Sequence, residues 1–289
     1  MGSSTPQSQL DDPGFTDDSS STPGSTARDC GDFSDHCLSG FTFFRRDTQV
    51  RSTADQLDAA HEWIYIVYDG TKPGSVVSSS SSYSSAGTGK VGQAATFFLR
   101  YNGANGTHTT PAVIDNETAG HQLFPDISAD GGVLHAIWWD SRNDTCYSVQ
   151  RPIGNCDSRS TTASLDVFGA KSTDAGTTWT DFTKVTDVKT NPNYEQFDNR
   201  AVPFAGDYLW VTSVGDFAFT TWTDWRDTVA GTDQRETAAE ADANNADVHQ
   251  CRVLLSSTDK KGNTTTSWSS DRCPHAGGID QNIYGDKTP

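Results

Sequence analysis

A five-residue pattern occurs twice in this chain, as Trp138-Trp139-Asp140-Ser141-Arg142 and as Trp222-Thr223-Asp224-Trp225-Arg226. Both copies read W-x-D-x-R and close an aromatic, β-branched run. Each follows a glycine-containing hairpin segment, Ala129-Asp130-Gly131-Gly132 before the first and Val214-Gly215-Asp216 before the second. The downstream spacing repeats as well: Arg142 stands 32 residues before Asp174, and Arg226 stands 33 before Asp259. A fainter copy leads from Val67-Tyr68-Asp69 to Asn102-Gly103, Asn102 standing 33 residues after Asp69. Recurrence of this kind restricts a chain to one supersecondary unit used several times, since a single unit cannot bury its apolar face alone.

The runs between these marks are FTFF (41–44), WIYIVY (63–68), ATFFLRY (95–101), VLHAIWW (133–139), LDVFGA (165–170), YLWVTS (208–213), FAFTTW (217–222) and CRVLLS (251–256). They are short, rich in aromatic and β-branched residues, and bounded by Gly, Asp and Asn, which marks them as strands. Three four-stranded units follow, over about 41–117, 121–188 and 200–270, and such units are expected to be propeller blades. Residues 271–289 read as the lead-in to another blade. Of the 38 acidic residues 33 are Asp and 5 Glu, a turn-forming bias that suits an all-β chain.

A formal net charge of −17 argues against nucleic acid, whose phosphates require a Lys/Arg surface. No apolar run approaches the ~18 residues of a membrane span. Residues 1–29 are Ser, Thr, Pro, Gly and Asp with almost no large apolar side chain and are expected to be disordered, which leaves 30–289 as the folded part. Ser75–Gly89 reads as a Ser/Gly loop, and Thr228–Ala246 as a polar stretch able to form a short surface helix. Six cysteines fall into near pairs, Cys30/Cys37, Cys146/Cys156 and Cys251/Cys273, with no C-x-x-C among them, so local disulfides are expected. That points to a secreted or extracytoplasmic protein. Met1-Gly2-Ser3-Ser4 has neither a basic nor an apolar leader region, so if the protein is exported its signal sequence is expected to have been lost or to lie on a longer parent chain.

Ser172-Thr173-Asp174-Ala175-Gly176-Thr177-Thr178-Trp179 fits S-x-D-x-G-x-T-W at every fixed position. It resembles the Asp-box, or BNR, motif of sialidase-like β-propellers. Phe124-Pro125-Asp126-Ile127, Phe204-Ala205-Gly206-Asp207-Tyr208 and Gly277 to Gly285 extend the resemblance to bacterial exo-α-sialidase-like secreted proteins, over about residues 30–289. The resemblance implies a six-bladed type of propeller, of which this chain holds about three blades. Either the chain is part of a longer one, or two chains close a ring as a homodimer. It gives Ser172, Asp174, Gly176 and Trp179 a structural role in a peripheral hairpin.

For function the resemblance implies an extracellular glycoside hydrolase removing terminal sialic acid or a related acidic sugar, and the alternative is a non-catalytic propeller that binds glycan or protein. Hydrolysis requires three arginines on the substrate carboxylate, a Tyr/Glu nucleophile and an aspartate acid/base. The arginine candidates are Arg142, Arg200 and Arg226; the nucleophile candidates are Tyr194 or Tyr208 with Glu195; the aspartate is Asp140. The Arg-Ile-Pro signature of the family's first arginine is absent, and Arg151-Pro152-Ile153 has the letters in another order. The competing reading of W-x-D-x-R is that Asp and Arg pair within each blade. Three arginines around one pocket favour hydrolysis, and arginines tied to their own aspartates favour binding. No organic cofactor is implied. The Asp-dense loops Asp140–Asp144 and Asp242–Asp247 offer hard oxygen ligands suited to Ca²⁺, though neither has the EF-hand pattern. The seven His are scattered and imply no zinc site.

Overall fold

The computed structural model describes residues 50–78, 90–144, 165–188, 208–224, 226, 230–231, 247–248, 254–268 and 282–288. Among them every regular element is a β-strand. In chain order these are β1 (Arg51–Thr53), β2 (Trp63–Thr71), β3 (Val77–Ser78), β4 (Lys90–Val91), β5 (Ala94–Asn102), β6 (Ala112–Val113), β7 (Gln122–Asp130) and β8 (Val133–Asp140). There follow β9 (Asp166–Ser172), β10 (Thr180–Lys184), β11 (Leu209–Val214), β12 (Phe217–Asp224), β13 (Ala230–Gly231), β14 (Asp247–Val248), β15 (Leu254–Thr258), β16 (Thr264–Trp268) and β17 (Asn282–Thr288).

All pairings among these strands are antiparallel, and no sheet closes into a barrel. The first sheet has the order β1-β2-β5-β6, the second β10-β9-β8-β7 and the third β11-β12-β17. Three two-stranded pieces accompany them, β3-β4, β13-β14 and β15-β16.

The second sheet lies between the other two, and its side chains alternate accordingly. From β8, Leu134, Ala136 and Trp138 point to the first sheet, where they meet Tyr65, Val67 and Phe98. Ile137 and Trp139 point the other way, to Leu209 and Trp222 of the third sheet. In β9, Phe168 and Ala170 belong to the first of these layers and Val167 to the second. A strand with both faces covered must be apolar at every position, and VLHAIWW is that kind of strand. Its one titratable residue, His135, is buried and approaches the Gly215 carbonyl through Nε2 at 3.3 Å.

The edge strand β7 is not apparent as a strand from the sequence. Its run QLFPDISAD mixes apolar with acidic residues and contains a proline. A register shift between Leu123 and Asp126 accommodates Pro125, and Phe124 takes φ 51° there with its ring edge-on to Trp139. Beyond this bulge, alternate side chains meet the third sheet. Asp126 accepts the Val211 N–H at 2.9 Å, Ser128 and Ser213 hydroxyls meet at 2.8 Å, and Asp130 accepts the Gly215 N–H at 2.7 Å. Asp55, just after β1, likewise accepts the N–H groups of Gly131 and Gly132 at 3.1 and 2.6 Å.

The expected units at 41–117 and 121–188 correspond to the first two sheets over the described residues. The third differs. Residues 282–288, read as the start of a further blade, form β17 and complete the third sheet against β12, with Tyr284 opposite Trp222. Among the described strands, β15 and β16 pair only with each other. The helix expected in 228–246 falls largely outside the described residues, and the part that is described, Ala230–Gly231, is the strand β13.

Candidate functional site

Asp140 ends β8 and Asp224 ends β12, and the same contacts converge on both. Trp138 Nε1 donates to Asp140 Oδ2 at 2.9 Å, and Trp222 Nε1 to Asp224 Oδ2 at 2.9 Å. The Arg142 backbone N–H donates to Asp140 Oδ1 at 2.8 Å, and that of Arg226 to Asp224 Oδ1 at 2.7 Å. Each guanidinium then turns back to its own aspartate, through Nη2 to Oδ2 at 2.5 Å for Arg142 and 2.8 Å for Arg226. The sequence spacing explains this: residues i and i+2 of a strand share a face, and an aspartate accepting the N–H two residues on makes a turn that stops the strand.

A ring from the neighbouring strand completes each arrangement. Arg142 Cζ lies 4.0 Å over Phe168 of β9, and Arg226 Cζ lies 4.0 Å over Tyr284 of β17. The far side of each guanidinium reaches the chain leaving the preceding sheet. Arg142 bonds Asp115 through Nη2 and approaches Glu117 through Nη1 at 3.4 Å, both just beyond β6. Arg226 Nη1 pairs with Asp187, just beyond β10, at 3.0 Å. Each arginine is therefore a clasp between its own strand end and the exit from the sheet before it.

Burial pushes the Asp140 carboxyl up, against the pull of Arg142. Burial also draws the Arg142 guanidinium down, but the bonds and charges of Asp140 and Asp115 outweigh it and the net direction is up. A carboxylate ligand needs free guanidinium N–H pairs. Here the Nη groups are committed to the chain's own carboxylates, and the three around Arg142 make a negative surrounding that repels an acidic sugar.

The other candidates are dispersed. Tyr208 precedes β11, is exposed, and stacks on Trp210 with ring centroids 5.2 Å apart; its backbone carbonyl accepts the Thr223 N–H. Tyr194, Glu195 and Arg200 lie outside the described residues, as do Asp242 and residues 41–44. The cysteines expected to form local disulfides, Cys30 with Cys37, Cys146 with Cys156 and Cys251 with Cys273, also lie outside the described residues, all six of them. Asp140, expected as acid/base, is fully buried with its oxygens bonded to Trp138 and Arg142, which leaves it no access to a substrate. Among the described residues, no group of three or more His, Cys, Asp or Glu is arranged to hold a metal ion.

The 172–179 segment forms the turn from β9 to β10. Asp174 accepts the Thr178 N–H at 2.8 Å and its hydroxyl at 2.7 Å, together with the Ser172 hydroxyl at 2.8 Å. The Ser172 oxygen in turn accepts the Gly176 N–H at 2.9 Å. These bonds, the Thr178 N–H foremost, hold the Asp174 carboxyl down at about 2. Gly176 has φ 81°, and a Cβ there would stand 2.1 Å from the Phe98 ring. Trp179 meets that ring edge-on at 5.3 Å, and Arg100 Nη1 donates to the Ala175 carbonyl at 3.2 Å. The hairpin is thus seated on the first sheet.

Asp115, Asp187, Phe168 and Tyr284 complete the two clasps, and the W-x-D-x-R repeat does not reveal them. One signal was present for the two acids, since Val113-Ile114-Asp115 recurs as Val185-Thr186-Asp187.

No family model and no curated protein matches this chain. Among solved structures it is similar to Zg3597, a family 117 glycoside hydrolase produced by the marine bacterium Zobellia galactanivorans, at 10% identity and a TM-score of 0.30. The match covers 85% of this chain and 72% of that one. A likeness at this level passes no residue role from one protein to the other.

Proposed function

We propose that the chain is a glycan-directed extracytoplasmic module of the sialidase-like propeller class, one that binds its glycan and does not cleave it. The observation that carries this reading is the duplicated clasp. Both W-x-D-x-R arginines are tied to their own aspartate and to an acid leaving the preceding sheet, a structural use of the residues that a sialidase would turn to substrate. The class rests on the S-x-D-x-G-x-T-W segment and on the hairpin it closes.

Hydrolysis of terminal sialic acid is the second reading, favoured by the full match of that motif. It draws on Tyr194 or Tyr208 with Glu195 and on Arg200, and it requires Arg142 and Arg226 to leave their carboxylates. A fluorogenic N-acetylneuraminic acid glycoside, assayed beside binding to immobilised sialylated glycans, separates the two. Binding without turnover is the expected result. Turnover that disappears in Arg226→Ala while the melting temperature holds would overturn it.

A further inference from the structure

The bonds of Asp126, Ser128, Asp130 and His135 across the junction between the second and third sheets reach β11 or the turn after it. Lys171 Nζ meets Asp216 in that same turn at 2.7 Å. Thr288 belongs to β17, two strands further along the third sheet. It pairs with Ala218, which shares a face of β12 with Trp222, so its side chain is turned to the second sheet. Thr288 is 6% exposed, and its Oγ1 has no hydrogen-bond partner among the described residues.

That side chain borders a cavity of ≈ 10 Å³, whose other walls include His135 of β8, Gly169 of β9, and Asp181 and Thr183 of β10. Two local features of the second sheet open it. Gly169 brings no side chain, and a Cβ there would find its nearest neighbour, the Ala136 carbonyl oxygen, at 3.4 Å. β10 carries a register shift between Thr180 and Thr183, where Asp181 takes φ 56° and the strand bends. The walls are polar: two hydroxyls, a carboxylate and an imidazole that has spent Nε2 on the Gly215 carbonyl. An apolar cavity of this size stays dry, whereas a polar one takes a water that makes two to four hydrogen bonds. A buried hydroxyl without a partner forfeits the bonds that it had in solvent.

We infer that this cavity is a binding site for one structural water, held by Thr288 Oγ1 from the third sheet and by the polar groups of His135, Asp181 and Thr183 from the second. The water supplies, at β17, the kind of junction bond that the carboxylates of β7 supply at β11. A metal ion does not suit the same walls, since Asp181 is the one carboxylate among them and already stands 3.5 Å from Lys171 Nζ. The inference does not depend on the glycan reading.

Water-to-protein NOE and ROE spectra, read at the Gly169 amide and the Val185 methyl groups, should show cross-peaks with the sign of a water that tumbles with the protein. In Gly169→Ala a methyl group occupies the cavity without a close contact, and the cross-peaks should be lost. That variant keeps every hydroxyl, so it separates a bound water from exchange relayed through a threonine. Thr288→Val keeps the shape and removes the oxygen, and the cross-peaks should fall several-fold. Circular dichroism verifies that both variants are folded. Xenon titrated into the wild type, which needs no variant, should leave the Gly169 and Val185 resonances in place. Absence of the cross-peaks in the wild type, their persistence in folded Gly169→Ala, indifference to Thr288→Val, or xenon-induced shifts that mark a dry cavity would each overturn the proposal.

Discussion

At the scale of the residue, the clasp arginines are stability elements with unequal stakes. Arg142→Ala strands the buried Asp140 and the largely buried Asp115, so the loss should approach or exceed roughly 3 kcal/mol in urea unfolding. Arg226→Ala should cost less, because Asp187 is solvated already. Asp174 acts through pH. Its folded carboxyl sits at about 2, against ~3.9 in an unfolded chain. A depressed carboxyl contributes stability that is complete above the unfolded value and is lost as pH falls toward the folded one. The Thr178 amide resonance should therefore report opening of the 172–179 turn between about pH 4 and 2, and Asp174→Asn should remove that step. Gly176 is bound by both conformation and space, so Gly176→Ala should lower the melting temperature even when Phe98→Leu makes room for the methyl group.

The elements are held together by a few carboxylate acceptors used in the same way. Asp126 and Asp130 receive N–H groups of the third sheet, and Asp55 receives those of the β7–β8 turn. In Asp130→Ala the Gly215 amide should exchange faster in deuterium, with the Leu134 amide unchanged; equal acceleration of both would mean global destabilisation instead. These acceptors also explain what the sequence concealed. β8, β9, β11 and β12 were legible because both their faces, or one, are apolar with period two. β7 was not, because Asp126, Ser128 and Asp130 are turned to a neighbouring backbone and give it the look of a loop, and Pro125 argues against a strand until the bulge at Phe124 is known. β17 was not among the strands read from the sequence, and residues 271–289 were assigned to another unit, since nothing in NIYGDKT says whether it pairs with β12 or begins afresh. The candidate site was half legible. The W-x-D-x-R repeat announced that Asp140 and Arg142 act alike with Asp224 and Arg226, whereas Asp115 and Asp187 come from the preceding unit, and only the stacking of sheets brings them near.

For the whole molecule, the order of burial sets an order of resistance. The second sheet is covered on both faces, whereas the described side chains of β15 and β16 are exposed. Native-state hydrogen exchange should find the slowest amides in β7–β9, slower by orders of magnitude than those of β15–β16; comparable rates in the two would contradict the stacked arrangement. The stapling carboxylates share a direction. Asp55 belongs to the first sheet and serves the second; Asp126 and Asp130 belong to the second and serve the third. In these Asp55, Asp126 and Asp130 bonds the acceptor is made before its donor, whereas the Thr96 N–H of the first sheet is accepted by Gln122 Oε1 of the second and Arg100 Nη1 by the Ala175 carbonyl, so the junctions are satisfied in both directions along the chain. A first sheet made during synthesis therefore completes its own hydrogen bonds only when the second arrives, which ties the two into one folding unit.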